Sequence, residues 1–192
     1  MSQTFRSYLP WVLALLFCLF LSLVVYPNIN PYFRQIFLVA LMNIILATSL
    51  TLVNGFTGQF SLGHAGFMAV GGYASAALTT FLLPKMGMGE LLLPVFFCGA
   101  LAFGGLLAAI GGFIVGIPSL RLKGDYLAIV TLGFGEIIRV ALLNIESLGG
   151  ARGLSGIRVI TDQTWLLAGA LLCSFTAFRL LGTPTGRGMF AV

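Results

Sequence analysis

The sequence predicts an all-α protein, a polytopic transmembrane bundle of about six spans with a broken or re-entrant segment near 54–66. Three observations predict it. Hydrophobic residues make up 59% of the chain and charged residues 8%, where a soluble domain carries roughly 25% charge. Mean hydropathy is +1.07. Apolar runs long enough to cross a hydrocarbon core recur along the whole chain, and the connections between them are short.

In order, the predicted spans are 9–26, 35–53, 67–83, 91–117, 126–144 and 164–181, the third being the shortest. Arg6 precedes the first apolar run as it would in a signal peptide. No small-residue cleavage site leads from that run into a soluble domain, so it reads as a first transmembrane helix. Turn-rich segments separate the spans at 26–31, 84–90, 118–124 and 146–162, with Pro84 and Pro118 expected to end the third and fourth helices. There is room for one membrane domain over 1–192 and for no soluble one.

The net charge of +5 comes from ten Lys and Arg spread from Arg6 to Arg187, without a run or a basic helical face. That distribution speaks against nucleic acid as a partner and for membrane lipid, with loops facing anionic headgroups. With the N-terminus in the cytoplasm, Arg6, Arg121, Lys123, Arg179 and Arg187 lie inside and Arg34, Lys85, Arg152 and Arg158 outside. This near balance favours that orientation only slightly. Cys18, Cys98 and Cys173 fall in separate apolar runs without C-x-x-C spacing and read as small packing residues.

The fourth span is rich in small residues, and Ala108, Gly112 and Gly116 recur at four-residue spacing. Small residues in such a row let helix backbones approach closely in lipid, so the three are expected to mark a packing seam. Glycine is abundant enough, at 25 residues, for such a row also to arise by chance.

The stretch Asn54-Gly55-Phe56-Thr57-Gly58-Gln59-Phe60-Ser61-Leu62-Gly63-His64-Ala65-Gly66 is too polar and glycine-broken for a lipid-facing helix, yet it carries no Asp, Glu, Lys or Arg. Non-helical backbone survives at membrane depth only where protein covers it or water lines it. The segment is either a packed turn or part of a substrate path, in which a half-helix N-terminus offers N–H groups to an anion. Asn54, Gln59, Ser61 and His64 are its candidate site residues. His64, the only histidine, reads more readily as a satisfied packing residue than as a proton relay or ligand.

In the fifth span, Glu136 and Arg139 are three residues apart, on one helical face and able to pair. Neither is expected to face lipid; they should face protein, each other or a pore. Asp125 suits the N-terminal dipole of that helix, and Arg121 and Lys123 suit the C-terminal end of the preceding one.

Catalytic constellations are missing. The five acids, Glu90, Asp125, Glu136, Glu146 and Asp162, form no H-E-x-x-H pattern or metal-ligand cluster with the one histidine. No phosphate-binding G-x-x-x-x-G-K-[ST] occurs, so any ATP would be bound by another chain, with no cofactor in this one. Gly186-Arg187-Gly188-Met189 imitates a dinucleotide fingerprint but follows an apolar helix instead of a strand. The chain is expected not to be an enzyme.

Three strings carry a resemblance: NGFTGQFSLGHAGFMAVGGYASA at 54–76, PSLRLKGDYLAIVTLGFGEIIR at 118–139 and GGARGLSGI at 149–157. They are long and correctly ordered, and the chain from about residue 36 onward resembles the LivM-type permease subunits of branched-chain amino acid ABC importers. The resemblance implies a multi-pass protein of the bacterial inner membrane. It also implies a second permease of LivH type, two cytoplasmic ATPase subunits and a periplasmic branched-chain amino acid binding protein. Such permeases continue beyond the Gly-Arg-Gly segment into an ATPase-docking stretch and further helices. The chain is therefore expected to be a C-terminally truncated permease domain. Three other readings compete. They are a urea or short-amide ABC permease, a lipid-acting membrane enzyme using His64 with Asp125 or Glu136, and a purely structural subunit.

Overall fold

A computed structural model describes residues 16, 17, 20, 22, 28–87, 92–119, 121, 122, 124–157, 160, 161 and 163–189. The expected first span falls almost wholly outside these residues, as do Arg6, Cys18, Glu90, Lys123, Arg158 and Asp162. The described residues form helices and the connections between them, with no strand among them. They contain five helices long and apolar enough to cross a membrane, matching the other five predicted spans. The chain forms two compact units, 1–58 with 161–192, and 59–160.

In the first unit, α1 (Pro31–Thr51) starts where Pro31 fits the first helical turn and the side chain of Asn30 accepts the N–H of Tyr32 at 3.1 Å. Arg34 donates from Nε to the carbonyl of Ile29 at 3.0 Å, a further tie across the same terminus. Thr48 and Thr51 return their hydroxyls to the carbonyls four residues back, each at 2.7 Å, so these side chains bring no unmet donor into the span. The helix widens into a π turn, Leu52–Phe56, and stops at Thr57. It packs against α5 (Gln163–Leu181), where a Cβ on Gly169 would stand 3.4 Å from Ile45. A short α6 (Pro184–Met189) follows.

In the second unit, α2 (His64–Met86) lies against α3 (Leu93–Ser119) and α4 (Asp125–Asn144). The contact with α3 is backbone to backbone. A Cβ on Gly104 would stand 2.5 Å from the carbonyl oxygen of Gly71, and one on Gly71 would stand 3.5 Å from the Cβ of Ala108. Ala100, Gly104, Ala108, Gly111, Val115 and Ser119 follow one another at four- and three-residue steps, hence along one face. Four of them, Ala100, Gly104, Val115 and Ser119, are buried. Gly112 and Gly116 are not part of this face, since a Cβ on either would meet nothing within 4 Å. A strict four-residue row turns by about 40° at each step of a 3.6-residue helix, which carries the expected seam away from α2 after Ala108.

Two helix ends differ from expectation. Far from being the shortest, the third predicted span is a 23-residue helix that keeps Pro84 in its last turn and ends at Gly87, φ +55°. Likewise α3 includes Pro118 and ends at Ser119. A proline so near a C-terminus removes one hydrogen bond but leaves the earlier turns intact, so neither residue stops its helix. Between α3 and α4, Gly124 adopts φ +60°, ψ −133°, a conformation closed to residues with a side chain, and Asp125 opens α4 as expected. After α4, two 3₁₀ turns, Glu146–Leu148 and Gly150–Arg152, are joined by left-handed Gly149.

Candidate functional site

The polar stretch emerges from the π turn. A π turn adds a residue to the helical repeat and shifts the backbone hydrogen bonds, a departure that recurs at functional positions. Asn54 lies within it, half-buried, and the Thr57 hydroxyl donates to the carbonyl of Val53 at 2.5 Å. Gly58 then takes φ +66°, and the chain runs without helix from Thr57 to Gly63. The expected break is therefore an unwound link between two membrane-crossing helices. Gln59 and Ser61 sit half-buried in it, between exposed Phe60 and exposed Leu62.

The second half of the link is held on α4. Leu62 donates its backbone N–H to the hydroxyl oxygen of Thr131 at 3.0 Å, and that hydroxyl donates to the carbonyl of Ala128 at 3.0 Å. Thr131, 5% exposed, thus relays one unwound backbone group into the helix ladder. The approach depends on missing side chains. A Cβ on Gly63 would stand 2.7 Å from the carbonyl oxygen of Thr131, and one on Gly66 would stand 3.0 Å from the Cα of Gly135. His64, half-buried, is the first residue of α2, and the Gly66 N–H closes the first turn on the carbonyl of Gly63 at 3.0 Å.

Glu136 directly follows Gly135 in α4. Its Oε2 accepts from Nη1 of Arg139 at 3.1 Å, the pairing the spacing predicts. Both side chains are exposed on the chain itself. An ionised side chain at the centre of a lipid-facing helix costs ~2.5–3.5 kcal/mol on insertion scales, so this pair requires a polar or protein environment.

The structure therefore holds Leu62, Gly63 and Gly66 against Thr131 and Gly135 of α4, with Ser61 and His64 their neighbours in sequence and Glu136 next to Gly135. Asn54 belongs to the other unit, and of the expected seam residues only Ala108 lies in a tight helix contact. Thr131, Gly63, Gly66 and Gly135, which fix the link in place, were not expected. Thr131-x-x-x-Gly135 is itself a small-residue spacing of the kind that lets backbones approach. Among the described residues no group of three His, Cys, Asp or Glu could hold a metal ion.

Long apolar helices, an unwound polar link and an intrahelical ion pair define the class: a multi-pass helical membrane protein with non-helical backbone between its spans. The chain belongs to the family described as branched-chain amino acid transport system, permease component, whose model matches residues 32–192. It is 48% identical over 115 residues to the high-affinity branched-chain amino acid transport system permease protein LivM of Escherichia coli (strain K12), covering 59% of this chain and 24% of that protein. It is 47% identical over 115 residues to the LivM protein of Salmonella typhimurium, with the same coverage. It is 31% identical over 167 residues to a probable LivM permease of Methanocaldococcus jannaschii, covering 77% of this chain and 43% of that protein. The chain thus spans less than half the length of these relatives. No solved structure matches it.

Proposed function

We propose that this chain is a permease subunit of an ABC importer for branched-chain amino acids, leucine, isoleucine and valine, in the bacterial inner membrane. The observation that carries the reading is the family match over 32–192. On this reading a second permease of LivH type completes the substrate path, two cytoplasmic ATPase subunits bind the ATP, and a periplasmic binding protein delivers the substrate. On this reading Gln59 and Ser61 of the unwound link line a watery path, with His64 at the start of α2 and with Glu136 and Arg139 of α4. Support comes from the absence of helix from Thr57 to Gly63, since non-helical backbone at membrane depth is either buried in protein or lines water. Ala108, Gly112 and Gly116 serve helix packing, Ala108 against α2 and the two glycines against the second permease. The open space over Gly112 and Gly116 supports that division.

Uptake of labelled leucine, valine and urea by cells whose complete native transporter is present or deleted tests the reading. Leucine and valine uptake that disappears with the deletion is expected. Loss of urea uptake alone would move the protein to the short-amide class.

A further inference from the structure

The first two turns of α4 and its middle differ in exposure. Leu127, Ala128 and Thr131 are buried, whereas Arg139 and Glu136 are 67% and 58% exposed while paired with each other. At 1.5 Å per residue, Glu136 lies about 16 Å along a 20-residue helix, near its middle. Exposed Leu132 and Val140 stand one turn before and one turn after Glu136, and exposed Ile129 two turns before it, on the same side. The arrangement is a contact dipole, one positive and one negative group 3.1 Å apart, set among aliphatic side chains.

The electrostatic complement of such a dipole is a second dipole of the same size turned head to tail. A zwitterionic α-amino acid is one, because its ammonium and carboxylate are joined through a single carbon. We propose that Glu136 and Arg139 form a recognition site for zwitterions in the substrate path, a role that rests on the transport reading above. Glu136 accepts hydrogen bonds from the ammonium and Arg139 donates to the carboxylate, while Leu132, one turn from Glu136, receives a branched aliphatic side chain. Pair and substrate are each neutral overall, so binding leaves no net charge in the membrane. A urea molecule lacks both charges, and the site therefore also separates amino acids from short amides.

The test uses the complete native transporter, with leucine uptake read against the amount of transporter in the membrane and the co-purification of its subunits. A single change strands one charge and endangers insertion, so the decisive variant is the neutral pair Glu136→Gln/Arg139→Gln. It is expected to insert and co-purify normally and to raise KM for leucine at least about tenfold, as loss of charged hydrogen-bond partners does. The exchanged pair Glu136→Arg/Arg139→Glu is expected to transport better than the neutral pair, because a zwitterion can turn end for end. An unchanged KM in the neutral pair, or an exchanged pair no better than the neutral one, overturns the site while leaving leucine transport standing. Loss of co-purification in the neutral pair also overturns it, by making the ion pair a subunit contact. A native transporter that takes up no leucine overturns the transport reading itself.

Discussion

Two groups of glycines in the second unit look alike in sequence and differ in structure. Gly63, Gly66 and Gly104 each have the backbone of a neighbouring helix where a Cβ would stand, at 2.7, 3.0 and 2.5 Å, whereas Gly112 and Gly116 face open space. Spacing therefore says that a helix could be approached closely, and the facing residue decides whether it is. Gly104 meets Gly71, Gly66 meets Gly135 and Gly63 meets the Thr131 carbonyl, so each of these three approaches sets a glycine against another glycine or a carbonyl. In lipid, where helices gain little from hiding apolar surface, such backbone contact is a main source of association.

Substitutions sharpen this contrast. Gly104→Ala forces a Cβ onto the Gly71 carbonyl and is expected to cost about 2–3 kcal/mol, at the upper end of overpacking effects. A large fall in thermal stability in detergent would show it. Gly63→Ala meets the Thr131 carbonyl at a slightly longer distance, and about 1–2 kcal/mol is expected. Hydrogen exchange at the Leu62 amide should speed up along with that loss. Thr131→Val keeps the shape but strands the Leu62 N–H, for about 1 kcal/mol or somewhat more, while Thr131→Ser should restore the bond and the slow exchange. Gly112→Ala and Gly116→Ala are expected to leave the isolated chain unchanged or up to about 1 kcal/mol more stable, since alanine favours helix over glycine. Equal losses at Gly104 and Gly112 would break the comparison.

Much of the helical layout was legible because it depends on local properties. Length and apolarity mark a span wherever it packs, and the break at 54–66 announces itself by glycines and polar side chains that no lipid-facing helix tolerates. The Glu136–Arg139 pair follows from three-residue spacing alone. Helix ends were less legible at Pro84 and Pro118, because a proline's effect depends on how many turns remain after it, and that is set by the following connection. What could not be read was which residue holds the link. Thr131 resembles any other threonine in a membrane helix that returns its hydroxyl to the backbone, and only the fold brings Leu62 to it across 69 residues of sequence. Of the row Ala108, Gly112 and Gly116, only Ala108 meets α2, for a related reason: a fixed spacing of four drifts around the helix, and the partner's position decides where it leaves the contact.

On the transport reading, the unwound link faces a watery substrate path instead of filling a dry turn. The most direct measurement places single cysteines at Gln59 and Ser61 in the native transporter after replacing Cys18, Cys98 and Cys173. A small, membrane-impermeant thiol reagent is then applied to sealed membranes of each orientation, with and without leucine. Labelling at both positions, slowed by leucine, is the predicted result. No labelling from either side of a correctly inserted, leucine-transporting protein would contradict the claim and return the link to the role of a packed turn.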